Sequence, residues 1–282
     1  PFDYCPAEAD VVLRVDIQKA LDTPIAQKIL GGPAEEEVQN WARIARNLTD
    51  VDLFEDLHEV YLFAKADQDE HTILAVRGNF ESPTKLVDII RVADGYETGE
   101  YRGVEVHHWV DDGPKYGAFV EDDILLLAGS EESMGAAIDA AKEGDTGFRS
   151  TDAVKYLPAD ANENLAWGIL APTHGMTGDL GNLARQFEMT LVVAVANMND
   201  QGTVARLTAI PKTKEKATEY LQIVQGAIAM GNLLGNEEPM LGMLARNSTV
   251  TLSPDKAAVV ATITIPHEIL RDQLQELGYL AF

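Results

Sequence analysis

The stretch Tyr4-Cys5-Pro6-Ala7-Glu8-Ala9-Asp10 returns later in the chain as Tyr156-Leu157-Pro158-Ala159-Asp160-Ala161-Asn162. Each copy leads into an apolar run, residues 11–15 and 165–170. Self-similarity at long spacing marks a duplicated unit, and it sets how the rest is read. After the first copy, apolar and polar residues partly alternate over 11–16, as in a half-buried strand. Thr23 caps a helix that begins at Pro24, and Gly31-Gly32-Pro33 stops it. Residues 34–48 form a second helix, acidic at its start and basic near its end. There Val38, Trp41, Ala42 and Ala45 share one face, which makes Trp41 a core anchor.

A hairpin of residues 59–66 and 71–78 then turns at Asp67-Gln68-Asp69-Glu70. Ser82-Pro83 opens a helix that turns Leu86, Ile89, Ile90 and Ala93 inward. Strands at 103–110, 115–120 and 123–128 precede a last helix capped by Ser130. The second copy repeats the order: a strand at 165–170, a helix carrying Leu180, Leu183, Ala184 and Phe187, and a hairpin of 190–196 with 203–210. A long helix capped by Thr213 follows, then a hairpin of 249–252 with 257–265, then a helix carrying Ile269, Leu270, Leu274 and Leu277.

The order β-α-ββ-α-ββ-α therefore occurs twice, over residues 1–150 and 151–282. Strands joined by hairpins, with helices between, predict an α+β fold of two tandem repeats forming antiparallel sheets backed by helices. Some material is unmatched. The helix at 34–48 and the strand at 103–110 belong to the first copy alone, and Met240-Leu241-Gly242-Met243-Leu244 to the second. Function is expected in these pieces rather than in the shared scaffold.

Composition narrows the classes. With 22 basic against 46 acidic residues the net charge is −24, which argues against nucleic acid or an anionic membrane surface as partner. No apolar run approaches the roughly 20 residues that span a bilayer, so no membrane insertion is expected of this chain. The opening at Pro1, without Met or an apolar leader, fits a signal segment removed upstream or a trimmed chain. The single cysteine, Cys5, has no internal partner for a disulfide. It has no Lys, Arg or His beside it to activate it, and reads as a plain thiol.

The Tyr-x-Pro-Ala-x-Ala opening, Leu53-Phe54-Glu55-Asp56-Leu57-His58 and Tyr101-Arg102-Gly103-Val104-Glu105-Val106-His107 resemble exported bacterial proteins of unknown function. The resemblance covers much of the first copy and less of the second. It implies an extracytoplasmic location, periplasmic or secreted, and brings no catalytic residues.

Read from the residues, the most suggestive set is Glu105, His107, His108 and Trp109. Side chains alternate along a strand, so Glu105, His107 and Trp109 share one face while His108 joins Val104, Val106 and Val110 on the other. Glu105 with His107 suits half of an acid–base pair or two metal ligands, and His108 a core or edge histidine. The acidic turns Asp111-Asp112 and Glu121-Asp122 offer a loose divalent-cation site if they are adjacent in space. His174, in a loop after a strand, is a further ligand-binding candidate, and Met240 with Met243 a candidate docking surface for a protein partner or a second copy. No nucleophile motif or phosphate loop is present, and no cofactor is expected beyond a possible divalent cation. The reading favours a non-enzymatic binding or structural module, with a metal-dependent hydrolase using Glu105, His107 and the acidic turns as the alternative.

Overall fold

In the computed structural model, strand β1 (Val11–Asp16) pairs antiparallel with β2 (Leu57–Lys65), and β2 with β3 (Gln68–Gly78). Described are residues 3–31, 35–65, 68–81, 83–143, 148, 152–171, 182, 184–199, 202–235, 239–255 and 257–269. They fall into two units, Pro1–Lys155 and Tyr156–Tyr279.

In the first unit, helices α1 (Ile17–Leu21), α2 (Pro24–Leu30) and α3 (Glu35–Thr49) lie between β1 and β2. Helix α4 (Pro83–Ile90) follows β3, and then come β4 (Glu97–Tyr101), β5 (Val104–Val110), β6 (Pro114–Glu121), β7 (Ile124–Ala128) and α5 (Glu131–Glu143). The strands form an antiparallel sheet in the order β1-β2-β3-β7-β6-β5-β4. Helix α5 packs on β3, β6 and β7. Its Met134, Ala137 and Ile138, at helical spacing, are buried with Phe63, Ile73, Ala75, Ala118 and Leu126 of the sheet. Each large side chain so covered contributes roughly 1.5–3 kcal/mol.

The same sheet buries a charge network. Arg14 is 2% exposed and donates through Nε to Glu59 Oε1 at 3.1 Å, and through Nη2 to that oxygen and to Asp16 Oδ2. The Tyr61 hydroxyl donates to Glu59 Oε2 at 2.7 Å, and Arg77 Nη1 reaches the same oxygen at 3.3 Å. Register explains the grouping: Arg14 stands opposite Tyr61, and Glu59 opposite both Asp16 and Arg77.

The second unit holds β8 (Ala166–Leu170), β9 (Met189–Asn199), β10 (Gly202–Pro211), α6 (Lys214–Leu234), α7 (Pro239–Arg246), β11 (Ser248–Leu252) and β12 (Val259–Pro266). Its strands run β8-β9-β10-β12-β11, all antiparallel neighbours. In each unit a leading strand is followed by one hairpin and then by a second whose later strand lies inside, as in β1-β2-β3-β7-β6.

Several expectations change. Gln68-Asp69-Glu70 belongs to β3 rather than to a turn, because the hairpin closes further along and the strands are longer. Likewise β9 and β10 run to Asn199 and from Gly202. Trp41 is 62% exposed, so it anchors no core. Helix α3 packs mainly on α2 and α4, and among its described side chains only Ala42 is buried. In α4 it is Val87 that is buried, while Ile89 is 38% exposed. Strand β4 and helices α1 and α7 had no counterpart in the sequence pattern. The expected C-terminal helix beyond Ile269 and the Leu180 and Leu183 positions lie outside the described residues.

Candidate functional site

The unmatched strand at 103–110 is the second half of a hairpin. Strands β4 and β5 meet at Arg102-Gly103, both at positive φ (50° and 80°), as a two-residue hairpin turn demands. Glycine is at ease there and Arg102 carries a small cost. The hairpin tip is tied to α5. The Tyr101 hydroxyl donates to Asp139 Oδ2 at 3.0 Å, and Arg102 pairs with Asp139 and Glu143, each at 2.9 Å. The Tyr101 ring lies over Gly135, where a Cβ would meet it at 3.6 Å, an ordinary van der Waals contact.

Between α5 and the β4–β5–β6 end of the sheet lies a cleft of about 340 Å³. Val106 and His108 of β5 and Tyr116 of β6 form its floor, Glu131 and Met134 of α5 one wall, and β4 the rim. Register places Glu97 opposite His108, and His108 opposite Tyr116. Cross-strand neighbours have Cβ atoms roughly 4.5–5.5 Å apart, so the three side chains make one row across the floor. The His108 and Tyr116 rings lie 4.8 Å apart between centroids, tilted by 39°. Glu97, opposite His108, and Glu131 bring carboxylates to the cleft, while Glu100, opposite Glu105, turns its side chain to the other face; no Lys or Arg lines the cleft. Its volume suits a small molecule.

The other candidates are dispersed. His107 is the buried histidine of the pair, 5% exposed, and its ring stacks on Tyr96, whose hydroxyl lies 3.1 Å from Nδ1. Burial pushes this imidazole below its ordinary value, Arg91 adds to that, and Glu105 offsets part of it. Glu105 is exposed. Trp109 lies against Gly117, where a Cβ would approach the indole to 3.2 Å. Asp111-Asp112 and Glu121-Asp122 sit at opposite ends of β6, eight residues long, so roughly 25 Å separates the two turns. They do not make one cation site. Glu121 Oε1 instead accepts from the Tyr4 hydroxyl at 2.7 Å. Among the described residues no three His, Cys, Asp or Glu side chains converge in a metal-binding group. Cys5 is fully buried, and burial pushes its thiol well up.

His174 lies outside the described residues. Met243 is 9% exposed and Met240 42%, so the two do not share a surface. Gly242 and Ala245 face Gly235 and Gly231 of α6, Met243 is covered beside them, and Met240 and Leu241 point outward. The second unit carries its own depression of about 320 Å³, with Asn164, Asn197 and Asn199 in its lining. These amides are occupied locally: Asn164 donates to the Asp160 carbonyl, while Asn197 and Asn199 accept from the backbone of Met198 and Gly202. The cleft of the first unit is the better site.

Sequence reasoning located the unmatched piece and missed its lining, Glu97, His108, Tyr116 and Glu131. Strand parity had already put His108 with Val106. Only the position of α5 decides that this is the face over the cleft.

No family model matches the chain, and no curated protein does. Among solved structures it is similar to TP0453. Crystal form III gives a TM-score of 0.55 at 11% identity, covering 98% of each chain. Crystal form IV gives 0.51 at 10%, covering 97% of this chain and 96% of that one. At such identities the likeness is one of fold. The α+β class, with large antiparallel sheets and several helices, stands. Among the described residues no helix is long and apolar enough to cross a membrane.

Proposed function

We propose that the protein is an extracytoplasmic, non-enzymatic binding module that captures a small molecule in the cleft beneath the β4–β5 hairpin. The scaffold is read as a duplicated β-α-ββ-α-ββ-α unit. Support for the duplication comes from the repeated heptapeptide and from the matching strand successions β1-β2-β3-β7-β6 and β8-β9-β10-β12-β11. One observation carries the binding reading: a hairpin without counterpart among the described residues of the second unit is pinned across α5 and borders a cleft lined by His108, Tyr116, Glu97 and Glu131. The extracytoplasmic location follows from the sequence resemblance, and cell fractionation tests it.

Gly99 supplies the test. It lies on the rim, and nothing stands within 4 Å of a Cβ built there. Gly99→Trp therefore fills the cleft without forcing the sheet, since aromatic residues suit strands. A library of water-soluble fragments screened by ligand-detected NMR is expected to give hits with the native protein that Gly99→Trp abolishes. Hits that survive unchanged in a folded variant would rule the cleft out. The metal-hydrolase alternative finds no convergent ligand set among the described residues, and metal analysis of protein purified without chelator checks it directly.

A further inference from the structure

We infer that the ligand of this cleft is a small organic cation, an amine or quaternary ammonium compound; this rests on the binding reading above. The lining contains two carboxylates, Glu97 across from His108 and Glu131 on α5, and no Lys or Arg. Arg102, next in sequence to the lining residue Tyr101, is itself absent from the lining and is paired with Asp139 and Glu143. An anion entering here meets like charge on β4 and on α5 with no counter-charge in the lining. The net charge of −24 extends the preference beyond the cleft, enriching cations near the surface.

The floor separates an organic cation from a metal ion. Tyr116 and His108 line it with rings tilted by 39° to each other, Tyr101 lies over Gly135, and Met134, 1% exposed, completes an apolar and aromatic lining. Aromatic faces attract alkylammonium groups within about 6 Å, while a bare divalent ion requires converging oxygen or nitrogen ligands. No such ligand group forms among the described residues. The aromatic floor takes the apolar envelope of the cation, and the carboxylates take its charge.

The test compares choline with 3,3-dimethylbutan-1-ol, its neutral isostere in which carbon replaces nitrogen, by titration calorimetry and by the methyl resonance of Met134. Choline is expected to shift that resonance and to bind about tenfold more tightly than the alcohol. Glu131→Gln should remove most of that difference while leaving the alcohol's affinity unchanged. Equal or tighter binding of the alcohol would keep the cleft as a ligand site and overturn its preference for cations. Choline binding that persists in Gly99→Trp would place the cation elsewhere on the acidic surface and overturn the inference. Absence of any shift at Met134 with either probe, in protein of native fold, would count against the inference and the binding reading together.

Discussion

Tyr101, at the tip of the β4–β5 hairpin, donates its hydroxyl to Asp139 on α5 across 3.0 Å, while its ring rests over Gly135. The contact closes one end of the cleft, and β4 is otherwise exposed along its whole length. Local opening is easiest where few groups are buried. Tyr101→Ala is therefore expected to speed amide exchange across residues 97–108 and to leave β2 and β3 unchanged. Tyr101→Phe, which keeps the ring, should sit close to the native protein. Equal exchange in all three would show that the tip contact does not hold the hairpin down.

The Arg14–Glu59 pair makes a stability prediction with a pH sign. Burial alone would raise the Glu59 carboxyl, but hydrogen bonds from Arg14 and Tyr61 and the charges of Arg14 and Arg77 hold it below its ordinary value. A carboxyl lowered in the folded state contributes stability that is full above its unfolded value of about 4.3 and is lost as pH falls through the folded value. Arg14→Met leaves Glu59 without its main partner and should cost about 3 kcal/mol at neutral pH. Adding Glu59→Gln should cost less than the sum of the two single changes, because they share one network. Chemical denaturation of the four proteins checks this, and strict additivity would contradict it.

His107 predicts a separate, milder loss. Burial beside Tyr96 favours the neutral imidazole, so its folded value lies below the unfolded one of about 6.5. Its contribution is full above pH 6.5 and declines as pH falls toward the lowered folded value. Between pH 7.5 and 5.5 the native protein should lose more stability than His107→Phe does. Parallel curves for the two would remove His107 as the cause.

Met240 and Met243 differ in exposure, and the same substitution should separate them. Met240→Asp on the outward side of α7 is expected to change stability by less than about 0.5 kcal/mol. Met243→Asp buries an unpaired carboxylate and should cost several kcal/mol, on the order of 3 or more. Met240→Asp is therefore the clean probe of a docking role. Native protein that self-associates in light scattering, with Met240→Asp monomeric, would support contact through this side of α7. An unchanged mass would remove it.

Gly242 sets the approach of α6 and α7. A Cβ at Gly235 would meet the Gly242 Cα at 2.7 Å, so backbone lies on backbone. Gly242→Val should force the helices apart and lower stability by about 1–3 kcal/mol or more. A thermal melt unchanged from native would show that the helices separate freely.

Sequence alone was enough for most of the strand and helix order, though not for β4, α1 and α7, because alternation and helical spacing are local consequences of which face is buried. It also marked the strand at 103–110 as material of the first unit only, without its partner β4, and it set the acidic character that now argues for a cation. What α5 covers is not local. The tip residues Tyr101 and Arg102 are distant in the chain from Gly135, and only their meeting turns His108, Tyr116 and Glu131 into one lining. The same non-local packing left Trp41 on the surface and hid His107 under Tyr96, whereas the separation of the two acidic turns follows from the strand between them. Periodicity says that a residue has a buried side. Tertiary packing decides what, if anything, comes to lie against it.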